Sequence, residues 1–120
     1  MANTWQGGFP YERLRLFNGA GTSPVGSFPP NGYGLFDVAG NVWAWTATEW
    51  SPNHESALDS HVGHACCGPR ALTEADRKVM KGGSHLCAPS YCHRYRPAAR
   101  QGHGVRSSTN HLGFRCVRDG

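Results

Sequence analysis

The sequence predicts one irregular, loop-rich α+β domain, and three observations lead to this fold class. Its 120 residues are enough for a single domain and too few for two of ordinary size. Sixteen glycines and eight prolines, which occur without a period, disfavour long helices because glycine loses entropy in a helix and proline lacks the backbone donor. Four tryptophans, four tyrosines and five phenylalanines, found mostly within short apolar runs, argue against a disordered chain.

The first third of the chain is predicted to consist of turns and short extended pieces, followed by one strand. Turn-forming pairs come in quick succession before residue 36, at Phe9-Pro10, Asn18-Gly19, Ser23-Pro24 and Asn31-Gly32. From Val42 to Thr46, small and β-branched residues alternate with two tryptophans, which predicts a β-strand after a Gly-Asn turn.

The rest of the chain is predicted to contain a short helix and a closing strand. Residues 51–77 are the most polar stretch, and we interpret them as a surface excursion. A short helix is expected from Leu72 to Val79, with Thr73 as its cap. A Gly-Gly pair at positions 82 and 83 then breaks the chain. Residues 100–110 are expected to form a loop and residues 112–117 a closing strand.

The charge balance is mildly basic, with a formal net charge of +4. Arginines at positions 94, 96, 100 and 106, interleaved with tyrosines, suggest a nucleic-acid partner. The chain has no lysine-rich block, recognition-helix pattern or RNA-binding signature, so no nucleic-acid partner is expected. The excess of positive charge suits an acidic or extended peptide partner equally well.

The sequence predicts a cytoplasmic protein. No apolar run approaches the length of a membrane span, and residues 1–6 have neither a charged nor an apolar signal-peptide region. Five cysteines cannot all pair within the chain. In a reducing compartment this number favours metal binding or chemistry over a disulfide scaffold.

The first group of candidate functional residues is the pair Cys87 and Cys92. Four residues separate the two thiols, and Pro89 forces a turn that lets them converge. Thiolates are soft donors, so a two-coordinate Cu(I) site or a redox-active dithiol is open. The charges of Arg94 and Arg96 and the partial charges of His85 and His93 would favour the thiolate form. From the spacing alone, a structural disulfide or two buried thiols packed as small hydrophobes is the preferred interpretation.

Two further groups of donor side chains predict metal binding less well. His61, His64, Cys66 and Cys67 lie within seven residues, but their spacing matches none of the common zinc patterns. Asp37 and the carbonyls of the following Gly-Asn turn offer the oxygen ligands that calcium prefers. Turns of this kind also occur for purely conformational reasons.

Several segments of the chain together resemble one enzyme family. They are ANTWQG at 2–7, NGYGLFDVAGNVWAW at 31–45, KGGSHLC at 81–87, YCHRYRPAAR at 91–100 and HLGFRC at 111–116. On these segments the chain is identified as a member of the formylglycine-generating enzymes, also called sulfatase-modifying factors, and it is most similar to the bacterial members. The GNVWxW and GFR segments recur across a wider superfamily, whereas the Ser-x-x-Cys-x4-Cys-x-Arg-Tyr-Arg run marks members that oxidise cysteine.

The resemblance implies a fold, a reaction and partners. The fold would be a compact, C-type-lectin-like α+β domain with little regular secondary structure, of which residues 1–120 form the C-terminal portion and the N-terminal half is absent. The reaction would be the copper-dependent oxidation of a sulfatase cysteine, within a Cys-x-Pro-x-Arg motif, through a thioaldehyde to formylglycine. Molecular oxygen would be the co-substrate. Besides the sulfatase, a complementing N-terminal half or a second copy of the chain is an expected partner.

The resemblance also implies roles for individual residues. Cys87 and Cys92 would hold Cu(I) as a bis-thiolate, and the substrate cysteine would add a third sulfur. Ser84 and Tyr91 would line the pocket for oxygen and the substrate thiol. Trp43 would form an aromatic wall that keeps water out of this pocket.

Calcium binding is implied as well, at the tryptophan segment and near the N-terminus. The ligands would be Asn3, Thr4, Asn18, Asp37, Gly40 and Val42. The family's glutamate in the tryptophan segment is Ala44 here, so the site at Asp37 lacks its second carboxylate.

Two other interpretations remain open. The chain would be either a non-catalytic, lectin-like binding module or an incomplete, inactive fragment of such an enzyme.

In vertebrate relatives the counterpart of Cys116 pairs with a cysteine in the absent half. We expect an apolar face at Trp5, Trp43 and Phe114, which that half would cover.

Overall fold

The computed structural model describes residues 2–14, 21–53, 73 and 75–118, and within these ranges it contains one four-stranded sheet and no helix. The strands are β1 (Trp43–Glu49), β2 (Arg77–Lys81), β3 (Gln101–Gly104) and β4 (Leu112–Gly113). Their order is β3-β2-β1-β4; β2 is antiparallel to β1 and β3, and β4 is parallel to β1. The loop-rich character is confirmed. The α part of the α+β prediction is wrong for the described residues, and the C-type-lectin-like arrangement stays a prediction.

Strand β1 confirms the prediction from alternating residues and continues to Glu49. Trp45 pairs with Met80 of β2, and the register then shifts before Glu49 pairs with Lys78. The Thr46 hydroxyl donates to the Val79 carbonyl at 2.9 Å across this irregular stretch. The side chain therefore provides a hydrogen bond where the backbone ladder is disturbed.

The helix predicted from Leu72 to Val79 is wrong where the structure describes it, because the end of this segment belongs to β2. Thr73 forms a turn with Asp76: its backbone amide and hydroxyl both donate to the Asp76 carboxylate. Val79 and Met80 are buried in the sheet that follows. Helix propensity is a weak preference, and burial between two neighbouring strands overrides it here.

Strand β3 lies in the segment predicted to be a loop. The ring of Trp50 covers Gly102 so closely that a Cβ atom built on Gly102 would lie 2.4 Å from it. Glycine is therefore required at this point of the strand. The closing strand predicted for 112–117 is much shorter, since β4 ends at Gly113.

The buried core lies between the sheet and the segment that contains Cys87. Its central cluster is Trp43, Met80 and Cys87. Trp5 is 9% exposed and Trp43 is 4% exposed, so the expectation that both belong to an open apolar face is wrong. Phe114, at 79% exposed, does lie on such a face. No helix in the described part of the chain has the length and apolar character that crossing a membrane requires.

Candidate metal and active site

The cysteine segment, residues 82–92, leaves β2 through two glycines that the fold requires. Gly82 and Gly83 both have positive φ, at 89° and 68°. A Cβ atom on Gly82 would lie 2.9 Å from the Val38 carbonyl oxygen, and one on Gly83 would lie 2.8 Å from the Tyr95 backbone nitrogen. These close approaches hold the cysteine segment against two other loops.

Ser84 and Cys87 close a tight turn at the start of the site. The Cys87 backbone amide donates to the Ser84 carbonyl at 2.9 Å, and the Ser84 amide donates to the Cys87 sulfur at 3.4 Å. The Ser84 hydroxyl accepts from the Leu86 amide at 3.3 Å. Ser84 is buried and lies directly beside the Cys87 sulfur.

A second turn brings Cys92 back to Cys87. The backbone amides of Tyr91 and Cys92 both donate to the carbonyl of the buried Ala88, at 3.0 and 2.8 Å. The side chains of Cys87 and Cys92 share a hydrogen bond, and both residues are free thiols. The thiols therefore converge as the spacing suggested, and the disulfide alternative does not describe this structure.

Burial controls the acidity of the inner thiol. Removal from water raises the pKa of Cys87 to about 11, and the neighbouring Cys92 adds to the rise. The Ser84 amide and, last in size, the charge of Arg94 lower the pKa of Cys87 without reversing the effect. Arg94 thus favours the thiolate form of Cys87, as expected, but burial outweighs its charge and the net pKa is raised. A bound metal ion would have to displace the proton.

The donor set fits a Cu(I) ion of low coordination number. Two soft sulfur donors lie in contact, mostly buried and packed on Trp43. A closed structural zinc site takes four ligands. Within the described ranges, no three His, Cys, Asp or Glu side chains converge as a metal site.

Trp43 and Tyr91, the two aromatic residues predicted to line the pocket, lie in different environments. Trp43 packs in one cluster with Cys87, and its backbone amide donates to the His111 carbonyl at 2.8 Å. Tyr91 is 72% exposed, and its ring stacks on Phe9 with centroids 4.6 Å apart and planes 20° apart. Ser84, Trp43 and Cys92 thus surround Cys87, while Tyr91 lies at the solvent side.

Two of the three residues predicted to bind calcium at the tryptophan segment line a cavity of about 430 Å³, and Gly40 does not line it. Asp37 and Val42 line this cavity, and Ala44 lies in its wall where a second carboxylate would be needed. Asp37 has a φ of 51°, and its carboxylate accepts from the Gly26 amide at 2.6 Å. Gly40, with a φ of 75°, supplies the bend before the strand.

The predicted N-terminal calcium site is described only in part, because Asn18 lies outside the described residues. The carbonyl of the buried Asn3 accepts from the Asn41 amide at 2.7 Å. The Thr4 hydroxyl accepts from the Gln6 side chain at 3.0 Å. The candidate zinc group at His61 to Cys67 also lies outside the described residues.

The sequence analysis missed the role of Asn41. Its φ of 61° is tolerated better by asparagine than by most residues, and its carbonyl accepts from both the amide and the Nδ1 atom of His85, at 2.9 and 3.0 Å. Its side chain accepts from the Ser23 amide at 2.8 Å. Asn41 therefore joins the N-terminal loops to the cysteine segment, and the Gly-Asn pair was the available signal.

His85 is held as a neutral imidazole. Burial is the largest effect and lowers its pKa; the hydrogen bond to Asn41 opposes this, and the charges of Arg13 and His111 lower the pKa further. A neutral ring with its proton on Nδ1 satisfies the hydrogen bond to the carbonyl. His85 thus ties the turn at Cys87 to the loop before β1.

Comparison with known proteins finds a family model that matches the whole chain. Residues 1–120 match the Sulfatase-modifying factor enzyme 1-like domain. The chain is 56% identical over 123 aligned positions to the formylglycine-generating enzyme of Mycobacterium tuberculosis, covering 99% of this chain and 40% of that protein. It is 44% identical to the formylglycine-generating enzyme of Mus musculus, covering 98% of this chain and 30% of that protein.

A further relative is named an inactive enzyme. The chain is 36% identical to the inactive C-alpha-formylglycine-generating enzyme 2 of Mus musculus, covering 96% of this chain and 32% of that protein. This chain therefore spans between 30% and 40% of the length of these relatives.

Proposed function

Because this chain belongs to the sulfatase-modifying factor family, we propose that it carries the copper-binding, cysteine-oxidising site of a formylglycine-generating enzyme. The substrate would be a sulfatase cysteine in a Cys-x-Pro-x-Arg motif, and the product would be formylglycine. One observation carries the proposal: the buried thiol of Cys87 and the half-buried thiol of Cys92 converge beside Ser84 and Trp43. A cytoplasmic location is part of the same proposal.

The two thiols would hold Cu(I), and each residue of the site has a task that its position supports. Copper, when bound, would supply the redox centre at which molecular oxygen is activated. Cys87 sits deeper than Cys92, and the Ser84 amide donates to its sulfur, which stabilises negative charge there. Trp43 covers the thiols on the sheet side and would keep water away from them.

The overall reaction balances with oxygen as the electron acceptor. Conversion of the substrate CH2–SH group to a thioaldehyde removes two electrons and two protons from the carbon–sulfur unit, and oxygen takes them up. Hydrolysis then replaces sulfur by the oxygen of water and releases hydrogen sulfide. Exclusion of water from the thiols by Trp43 would serve the first step because it limits side reactions.

A non-catalytic binding module is the second candidate, supported by two observations. One is the similarity to a relative named inactive, and the other is Ala44 at the position where the resemblance implies a calcium ligand. This candidate gives no function to the contact between the thiols of Cys87 and Cys92. Copper binding separates the two proposals.

The test is Cu(I) uptake by the reduced chain, measured by copper analysis and competition with a chromogenic chelator. We expect one Cu(I) per chain, lost in Cys87→Ser and in Cys92→Ser. Cys116→Ser is the matched control, because Cys116 is an exposed free thiol. Equal copper binding by the wild type and Cys92→Ser would contradict the proposed site.

A polypeptide equivalent to the rest of the longer relatives is the proposed partner. In these relatives, 60% or more of the length lies outside the matched part. The described residues leave an apolar surface open at Phe114 and Val117. A partner that covers this surface would complete both the core and the substrate groove.

A further inference from the structure

The ring of Tyr91 has little support from its own loop. The Tyr91 backbone is fixed by its hydrogen bond to the Ala88 carbonyl at 3.0 Å. The side chain, however, is 72% exposed, so its two rotatable bonds are not restrained by burial. A tyrosine that is to line a pocket in one orientation needs a contact from another part of the chain.

Phe9 provides that contact from the N-terminal segment. Its ring lies nearly parallel to the Tyr91 ring, with centroids 4.6 Å apart and an angle of 20° between the planes. Offset aromatic pairs at this separation attract each other beyond the effect of area burial. The stack therefore selects one orientation of an otherwise free side chain.

Phe9 is itself braced by Trp5, which is bound to the cysteine segment. The rings of Trp5 and Phe9 meet edge to face, with centroids 5.0 Å apart and an angle of 75°. The Trp5 backbone amide donates to the Cys87 carbonyl at 3.0 Å, and its indole N–H donates to the Glu12 carbonyl at 2.9 Å. A series of contacts thus connects Cys87 to Tyr91 through Trp5 and Phe9.

The turn that carries Phe9 is tightly closed. The Glu12 amide donates to the Gly8 carbonyl at 2.7 Å, and the Gly8 amide donates to the Glu12 carboxylate at 3.1 Å. Gly7 has a φ of 103°, and a Cβ atom there would lie 2.7 Å from the Glu12 carbonyl oxygen. The ring of Phe9 is therefore presented from a fixed backbone.

We propose that Phe9 is a positioning residue, which fixes the ring of Tyr91 relative to Cys87 through this series of contacts. The stack itself follows from the contacts of the chain alone. Its consequence for turnover rests on the proposed function, because only there does Tyr91 line the pocket for oxygen and the substrate thiol. The ring stack and its consequence for turnover are therefore measured separately.

The first measurement is the NMR spectrum of the full chain with labelled tyrosine rings. Four tyrosines give four sets of signals, and those of Tyr91 are assigned by their loss in Tyr91→Phe. We expect Phe9→Leu to move the Tyr91 signals downfield, because the shielding by the stacked ring is lost. Phe9→Tyr keeps the ring and should leave them in place. Phe36→Leu, at a partly exposed phenylalanine elsewhere in the chain, is the matched control.

Unmoved Tyr91 signals in Phe9→Leu, or an equal movement in Phe36→Leu, would overturn the inference whatever the enzyme does. If Phe9→Leu does not fold, the reciprocal variant Tyr91→Leu tests the same contact on an exposed side chain. It should move the ring signals of Phe9. Unmoved Phe9 signals would overturn the inference equally.

The second measurement is aldehyde formation on a Cys-x-Pro-x-Arg peptide. We expect Phe9→Leu to lower kcat about 2- to 12-fold with little change in KM, and Phe9→Tyr to restore it. Normal turnover in Phe9→Leu, when Tyr91→Phe is impaired, would overturn the positioning role. A wild-type chain with neither copper binding nor turnover would contradict the proposed function, and the ring signals would then decide the inference alone.

Discussion

The cysteine segment and the tail after β4, residues 114–118, each contain a cysteine in a short run after a strand, yet they have opposite environments. Cys87 is 3% exposed, and its amide, carbonyl and sulfur all take part in hydrogen bonds. Cys116 is exposed, and the tail contacts a distant loop through a hydrogen bond from Arg115 to the Phe36 carbonyl. The residue type is the same, and the surroundings give the two thiols different chemistry.

The different environments of the cysteine segment and the tail show how far each region depends on the rest of the fold. Turns between residues three or four apart close much of the cysteine segment, and Trp5 and Asn41 anchor it to nearby loops. Such contacts need no further polypeptide. The tail leaves Phe114 and Val117 open to water, so its final environment depends on what covers them. We therefore expect copper binding to need the described residues alone and full turnover to need a partner.

The largest expected effect comes from supplying that partner. Adding the part of the Mycobacterium tuberculosis enzyme that this chain does not match should raise aldehyde formation about 100-fold or more, since a misplacement of about 1 Å at a site costs that much. The chain alone should be marginally stable and self-associating, because burial grows faster than chain length. Peptide turnover with and without the added polypeptide, and light scattering, measure both effects.

Phe114→Ser should weaken this complementation, whereas Tyr11→Ser, at another exposed aromatic residue, should leave it unchanged. A cooperative, monomeric melt above about 60 °C, at the upper end of the range for mesophile domains, together with unaided turnover would contradict the prediction. The chain would then be a self-sufficient minimal enzyme, and the tail would be a free surface.

The next largest expected effect is a difference in alkylation rate between the thiols of Cys87 and Cys116. Because the pKa of Cys87 is raised to about 11, its thiol stays protonated at neutral pH. Only the thiolate is alkylated, so about one Cys87 in a thousand is reactive at pH 8, and the rate should rise about tenfold per pH unit up to pH 11. The exposed Cys116 should be alkylated far faster at pH 8. Mass spectrometry of metal-free protein treated with iodoacetamide measures both rates.

Cys92→Ser removes a neighbour that contributes to the raised pKa of Cys87, so alkylation of Cys87 should begin at lower pH in this variant. Equal alkylation rates of Cys87 and Cys116 at pH 8 in the wild type would show that the inner thiol is open to water. The contrast between the two regions would then be lost.

The sequence was most informative where structure is local and least where it depends on distant contacts. The converging thiols and the strand at Trp43 were predicted, because a turn and an alternation of residue types depend on residues that are close in sequence. Strand β3 was not, since a glycine-rich run becomes a strand here only beneath the ring of Trp50. Spacing likewise gave no signal for Phe9, whose partner Tyr91 lies far along the chain.

The acidity of Cys87 shows the same limit within the site. Counting nearby arginines predicted a thiolate, but burial outweighs their charge. Burial is set by the packing of Trp43 and Met80, which is a tertiary property. Residue types therefore sufficed to propose the two sulfur atoms as metal donors, whereas the protonation state of Cys87 required the fold.

The smallest expected effect concerns calcium at the cavity beside β1. Asp37 and Ala44 line the same cavity, so Ala44→Glu places a second carboxylate near the first. Without calcium the two negative charges should destabilise the variant. With calcium at about ten times its Kd, binding should stabilise the variant by about 1.4 kcal/mol. The Tm should then rise by about 5 °C. The wild type, with one carboxylate, should respond little to calcium.

Ala47→Glu is the matched control, because Ala47 is an exposed residue of the same strand and does not line the cavity. It adds the same charge, so a general electrostatic effect would appear in both variants, whereas a crossing of the Tm curves with and without calcium should appear only in Ala44→Glu. Calorimetry with calcium and with chelator measures this. Stabilisation of the wild type at micromolar calcium would mean that another oxygen ligand replaces the missing glutamate, and the cavity would then be a preformed calcium site.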